Sequence, residues 1–292
     1  MKALLRQGRG KRWQVQVFLD IFAGSGGVAR KLRGLNFLVL EIDINKGAAW
    51  DVTRPAVQKL IRGWLAAGLV WGVHLATPCN SMSHARDRGP VRTMNSTGPG
   101  WPGRLRSRAE PWGLKAVTHL QDRKCMAVGN CLAKFSAALM EATLLYRIPI
   151  AIENPASSWL WSLPPFLRLA RRREWSMVTA HFCAFGARWR KPTMIAGFFT
   201  DLAGLDKRCR GRIVCEHSDK PHLVLAGRSA DNCMMTKIAE SYPRRFATAL
   251  AQAHASAKAQ LWMRHIIENT RAFKAYDRIS HSYVAPARPI PP

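Results

Sequence analysis

Four sets of residues in this chain have the types and spacing to do chemistry. Cys79 lies in TPCN, immediately after the apolar run LVWGVHLA (69–76), and Glu153 lies in IENP, at the end of the apolar run IPIAIE. Runs of that length read as buried strands, and open α/β sheets bind ligands outside the carboxyl ends of their strands, so both side chains are expected at a site. A cysteine there can act as a nucleophile through its thiolate, and a carboxyl group can hydrogen-bond a substrate heteroatom or exchange a proton with it. In DIFAGSGG (Asp20 to Gly27) the glycines fall where a strand turns into a helix, so backbone N–H groups can approach a ligand closely. Glu41 and Asp43 close the next apolar run, FLVLEIDI, where such folds hold a ribose hydroxyl. Arg188 and Arg190, in GARWRKPT, alternate and would share one face of an extended segment.

These residues need a scaffold of alternating strands and helices. VQVFLDIF (15–22), FLVLEIDI, LVWGVHLA and IPIAIE alternate with helical spacing in VARKLRG, from Pro55 to Ala67, and from about Arg123 to Tyr146. Pro55 in the first turn and Gly68 beyond the last bound the second of these helices, and Val128, Leu132, Phe135 and Leu139 fall on one face of the third. The alternation predicts an α/β, doubly wound fold with a parallel sheet. SSWLWSLPPFLRL predicts a short helical cap, and REWSMVTAHF and TMIAGFF predict two further strands. The chain then divides into a basic segment 1–14, a main domain 15–200, a small Cys- and His-containing subdomain 201–235, a helix 236–275 closing back on the sheet, and a Pro-rich tail 276–292. Between Ser81 and Trp112 the residues turn to Gly, Pro, Ser and Arg. That predicts a long mobile loop bearing Arg86, Arg88, Arg92, Arg104, Arg106 and Arg108.

Lys and Arg number 45 against 18 Asp and Glu, a formal charge of +27 that a polyanion would relieve, so nucleic acid is the expected partner. A generally adhesive basic protein is the other reading of charge alone. The 48% apolar fraction and 11 Trp exclude a disordered basic tail, which lacks the surface to offset chain entropy. No run reaches the roughly 18 apolar residues of a membrane span, and MKALLRQGRGKRW lacks the apolar segment of a secretion signal. The chain is therefore expected to be intracellular without a membrane partner, and nuclear if eukaryotic. Seven scattered cysteines fit a reducing compartment better than a disulfide framework.

FLDIFAGSGG with a following strand that ends in an acid, then Pro78–Cys79, Glu153–Asn154 and the Arg188/Arg190 pair, resembles the ordered motifs of the enzymes that methylate carbon 5 of cytosine in DNA. The resemblance covers 15–200 and implies a Rossmann-like methyltransferase fold, S-adenosylmethionine as cofactor and DNA as partner, in a divergent member of mobile-element type. It places Phe22, Gly24 and Gly26 in the cofactor pocket with Asp20, Ala23, Ser25, Gly27, Asp43 and Pro78, and puts Glu41 on the ribose. Asp51, in AAWDVT, would lie near the adenine, its other reading being a helix-capping aspartate. By the same likeness Cys79 adds to carbon 6, Glu153 bonds N3 and the amino group of a flipped cytosine, one of Arg188 and Arg190 contacts O2, and the other supports the catalytic loop. The chain departs from the family at Asn80, Pro155 and Gly186, and has no large target-recognition domain. A catalytically silent nucleic-acid-binding protein of the same fold, and a methyltransferase acting on RNA, are the rival readings.

Cys209, Cys215, His217, His222 and Cys233 cluster in KRCRGRIVCEHSDKPHLVLAGRSADNC. Cys209, Cys215, His222 and Cys233 could hold a structural zinc ion and let a short segment fold without a core of its own, although the spacing matches no standard finger. Buried cysteines with unrelated surface histidines are the alternative. Trp101, Trp112, Trp159, Trp161 and Trp189 are interleaved with arginines. Core packing accounts for most of them, and Trp101 and Trp112, inside the polar loop, are the candidates for stacking on bases.

Overall fold

A computed structural model of the chain describes residues 16–96, 103–225 and 235–282. Six short apolar runs form one sheet: β1 Val17–Ile21, β2 Val39–Ile42, β3 Val70–Leu75, β4 Ile150–Pro155, β5 Trp175–His181 and β6 Pro192–Phe198, in the order β2-β1-β3-β4-β6-β5. β1 pairs in parallel with β2 and β3, and β3 with β4, whereas β6 runs antiparallel to both β4 and β5. The sheet is thus mixed, which corrects the expectation of a parallel one. The cause is the link from β5 to β6, a turn at Phe182–Phe185 and a bend, with no helix long enough to carry the chain back across the sheet. The strand order reverses between β1 and β3, the switch point outside which open α/β sheets leave a ligand crevice.

The helices are α1 Gly27–Arg33, α2 Pro55–Ala66, α3 Leu120–Leu145, α4 Pro164–Leu169, α5 Met235–Ile238 and α6 Arg244–Ser282. α2 starts on Pro55 and buries Val57, Ile61, Trp64 and Leu65, a helical stripe that meets Leu19, Ile21, Val73 and Leu75 of the sheet and Phe135 and Leu139 of α3. On the other face Phe18 and Trp71 meet Val28 and Leu32 of α1, Phe246 and Leu250 of α6, and Phe182. Successive residues of β1 therefore serve opposite layers, as a strand covered on both faces requires. Burying each such phenylalanine contributes about 1.5–3 kcal/mol.

Three expectations need correction. Val128 is 49% exposed, so the buried stripe of α3 is Leu132, Phe135 and Leu139. α6 extends through Ser282, beyond the expected end at 275 and into the segment read as a tail. The stretch 81–112, where described, is a packed wrap and not a solvated loop. Leu105 and Arg106 are fully buried, and Arg106 donates from Nε to the Ser81 carbonyl (2.8 Å), from Nη2 to Ser81 Oγ (3.0 Å) and from Nη1 to the Pro111 carbonyl (2.7 Å). Arg86 bonds Asp122 (2.8 Å) and the Gly103 carbonyl, and Arg92 reaches His119 and Asp122. Gly129 makes this wrap possible, because a β-carbon there would collide with Ser81 Oγ. Of the six arginines, Arg88, Arg104 and Arg108 remain exposed. Among the described residues no helix is long and apolar enough to cross a membrane.

Candidate functional site

The carboxyl ends of β1, β2, β3 and β4 bring most of the sequence-predicted residues to one edge. After β1 the chain turns sharply, with Phe22, Gly24 and Gly26 at φ values of 60°, 51° and 68°. Only glycine takes that region freely, and Gly26 has a second constraint, since a β-carbon there would run into the Glu41 carboxylate. Ala23 is half-buried, Gly24 and Ser25 are exposed, and Gly27 packs against Ala247 and Tyr242. Asp20 is buried and accepts from the Ala29 amide (3.1 Å), partnering the first turn of α1; burial raises its carboxyl to about 7.

The acids behind the loop divide into two kinds. Asp43 accepts from Gly24 N and from Asn45 N, both at 2.8 Å, so its two oxygens brace the loop. Asp51 accepts from the amide and hydroxyl of Thr53 (2.9 and 2.6 Å), which hold its carboxyl below the usual range; its contacts are those of a turn-forming aspartate. Glu41 is different. Burial pushes its carboxyl up, but the hydrogen bonds and charges of Lys46 and Arg33, each 2.5 Å away, outweigh burial and hold it below the usual range.

Cys79 follows β3 and Glu153 lies near the carboxyl end of β4, two neighbouring parallel strands. Asn154 ties the two ends together by donating from Nδ2 to the Thr77 carbonyl (2.6 Å), and Thr77 Oγ1 lies 2.8 Å from Ser136 Oγ. Burial pushes the Cys79 thiol up; the Lys191 ammonium pulls it down, and the Glu153 and Glu240 carboxylates add to the rise. The thiol and the Glu153 carboxyl therefore feel each other's charge at the ends of neighbouring strands. Pro78 is half-buried beside them.

No protein-family model matches this chain. No curated protein matches it significantly either. The chemistry must therefore be read from the geometry.

Three side chains in that geometry, Tyr242, His74 and Lys191, are not singled out by the sequence. Tyr242, in SYPRRF between α5 and α6, keeps part of its surface exposed but turns its hydroxyl inward, donating to Glu153 Oε2 (2.9 Å), while the Tyr242 hydroxyl oxygen lies 3.2 Å from His74 Nε2. Burial drives the fully buried His74 imidazole down to about 3, so it meets Tyr242 as a neutral ring. Glu153 Oε1 is buried with no partner. Lys191 lies over the Phe182 ring (4.8 Å) and donates to the Ala239 carbonyl (2.9 Å), and its charge pulls the Cys79 thiol down. Tyr242 reaches Glu153 from a loop, and no periodicity announces it. Tyr242→Phe is expected to leave both Glu153 oxygens unpartnered and to cost about 1–3 kcal/mol of stability in chemical unfolding, more than a surface Tyr→Phe change.

The arginine pair does not sit as the alternation predicts. Residues 187–191 form a bend, so the two side chains do not share a face. Arg188 is exposed, and Arg190 turns to the Cys209 carbonyl (2.9 Å) and His181 Nδ1 (3.2 Å). Trp112 is half-buried, packed against the core with the Lys134 ammonium over its ring (5.3 Å); Trp101 lies outside the described residues. Trp159 is buried and stacked on His84, and Trp161 and Trp189 pack on the two cores.

Cys209, Cys215 and His222 do come together, and the fourth position is taken by Cys183, from the turn after β5. Cys233 lies outside the described residues. Among the described residues the set is Cys183, Cys209, Cys215 and His222, and Cys183 comes from a distant element that linear clustering does not signal.

Proposed function

We propose that this chain is an S-adenosylmethionine-dependent methyltransferase that modifies carbon 5 of cytosine in DNA through a Cys79 adduct. One observation carries the reading: a thiol and a carboxyl, distant in the chain, end adjacent parallel strands at the switch-point edge beside a glycine-rich turn. The net charge of +27, with Arg88, Arg104, Arg108 and Arg188 exposed, supports a polyanionic substrate.

The residues present fit the cofactor. The exposed backbone of Gly24 and Ser25 and the side chain of Phe22 line its place, and Glu41 offers a carboxylate to ribose hydroxyls against a glycine whose missing β-carbon leaves room. Lys46 and Arg33 each take one Glu41 oxygen, and the remaining lone pairs are what a ribose hydroxyl would use. Asp43 and Asp51 keep the turns in shape. When bound, S-adenosylmethionine supplies an electrophilic methyl group.

Carbon 5 of cytosine is a poor nucleophile until a group adds at carbon 6. The Cys79 thiolate forms that bond, with its proton passing to solvent and Lys191 favouring the charge. Glu153 Oε1, the oxygen that Tyr242 leaves unpartnered, donates a proton in a hydrogen bond to N3 of the flipped base while the carboxyl group accepts from the base's amino group, and the proton at N3 draws electron density from the ring. Once carbon 5 carried the methyl group, its proton would pass to solvent and the electron pair of that bond would restore the ring as the carbon–sulfur bond broke, freeing the Cys79 thiolate.

A second reading, a DNA-binding protein without turnover, is favoured by the half-buried, upshifted thiol and by the absence of Arg190 from the base site. Incubation with methyl-labelled S-adenosylmethionine and duplex DNA separates the two. The expected result is label in 5-methylcytosine. Label in RNA alone overturns the DNA assignment, and tight DNA binding with no label supports the second reading.

A further inference from the structure

The sulfur atoms of Cys183, Cys209 and Cys215 and a ring nitrogen of His222 all lie within 4.8 Å of one another. Cys209 Sγ is 4.0 Å from Cys215 Sγ and 3.7 Å from His222 Nε2. Four ligands at about 2.0–2.3 Å from a tetrahedral zinc ion lie about 3.3–3.8 Å apart, so the atoms stand near the spacing that zinc imposes. At 4.0 Å the Cys209 and Cys215 sulfur atoms are not joined in a disulfide. The three cysteines are buried and form a cluster of their own, apart from both apolar cores.

The backbone around them is built to hold this arrangement. Cys215 N donates to the Lys220 carbonyl and Asp219 N to the Cys215 carbonyl (2.9 and 2.8 Å), closing one turn. A β-carbon on Gly211 would collide with the Val214 carbonyl, so the preceding turn requires glycine. Cys209 N donates to His181 Nδ1 (2.8 Å), and Arg190 donates to the Cys209 carbonyl. Residues 207–222 otherwise hold exposed Lys207, Arg208, Arg210, Arg212 and Lys220, and even Ile213 is 78% exposed. Such a segment has no apolar core to fix it, and a metal can serve in place of one.

We propose that Cys183, Cys209, Cys215 and His222 bind one structural Zn2+ that clamps the basic segment 207–222 to the end of β5. Binding forms three zinc–sulfur bonds and one zinc–nitrogen bond and releases three thiol protons to solvent, leaving a site charge of −1. The more exposed trio Cys209, Glu216 and His217 shares Cys209 but offers a single sulfur, so the set with three sulfurs is the one that zinc prefers. The clamp also fixes the bend before Lys191: Leu223 N donates to the Arg188 carbonyl and Phe182 N to the Arg190 carbonyl, both at 2.8 Å. The site does not depend on the catalytic reading.

Metal analysis of the purified full chain is expected to find one zinc per molecule, and cobalt exchange to give the spectrum of a tetrahedral thiolate site. Cys183→Ser should weaken metal retention against a chelator by at least tenfold while Cys233→Ser leaves it unchanged. Should Cys183→Ser fail to fold, chelation of the unaltered chain supplies the same test: trypsin is expected to cut within 207–220 once zinc is removed, with the circular dichroism of the sheet preserved. A chain without metal, a Cys209–Cys215 disulfide, metal lost on Cys233→Ser but not on Cys183→Ser, or trypsin resistance after zinc removal would each overturn the proposal.

Discussion

Cys79→Ser is expected to abolish methyl transfer to DNA, by at least about 10³-fold, and Glu153→Gln to reduce it by about 10²–10⁴-fold, with both proteins folded. The two effects have different origins. A serine hydroxyl has no accessible anion near neutral pH, so the attack on carbon 6 is lost while the cofactor and base sites are left intact. Glutamine keeps the shape of Glu153, and Tyr242 can still donate to its amide oxygen; what disappears is the acid that can pass a proton to N3 and so activate the ring. Single-turnover measurements with labelled cofactor at saturating DNA check this. A Cys79→Ser protein that still transfers methyl groups at near the original rate would remove the thiol from the chemistry.

Arg106→Met is expected to destabilise the fold by about 2–4 kcal/mol, a fall in melting temperature of about 4–16 °C. Two terms oppose each other. Burial of the guanidinium is costly and drives it down to about 10, so removing the charge relieves a penalty. Against that, three buried acceptors, the Ser81 carbonyl and hydroxyl and the Pro111 carbonyl, lose their donors, each bond to a charged donor being worth about 1.5–3 kcal/mol. The bonds win because the thioether side chain of the variant would fill the space without a single donor. Ser81 lies two positions from Cys79, so a thermal melt should be paired with an alkylation rate for Cys79, expected to rise as the wrap loosens. An unchanged melting temperature would mean that the wrap does not need its buried cation.

The strands and most of the helices are legible in the sequence because burial imposes a period. LVWGVHLA and IPIAIE place Cys79 and Glu153 at strand ends with no further information, and Gly26 is legible because a left-handed turn against Glu41 admits no side chain. What periodicity does not encode is polar or long-range. The wrap 81–112 reads as a loop because its order comes from arginine side chains bonded to carbonyls and to Asp122, not from an apolar face. The direction of β6 depends on the length of the link at Phe182–Phe185, and Cys183 joins Cys209 and Cys215 only through that same turn. Arg190 is engaged by the Cys209 carbonyl, a partner that appears only after residues 207–222 fold back on β5. Tyr242 is the plainest omission, a single residue whose hydroxyl crosses from the start of α6 to the end of β4.

The most direct test of the proposed site is covalent trapping. DNA carrying 5-fluorocytosine cannot lose the carbon-5 substituent after methyl transfer, so the carbon–sulfur bond cannot break. With S-adenosylmethionine present, the protein is expected to form a denaturant-resistant complex with this DNA whose crosslinked peptide contains Cys79. No complex from folded, DNA-bound protein, or a complex that survives Cys79→Ser, would contradict the proposal that this thiol and the Glu153 carboxyl meet across one base.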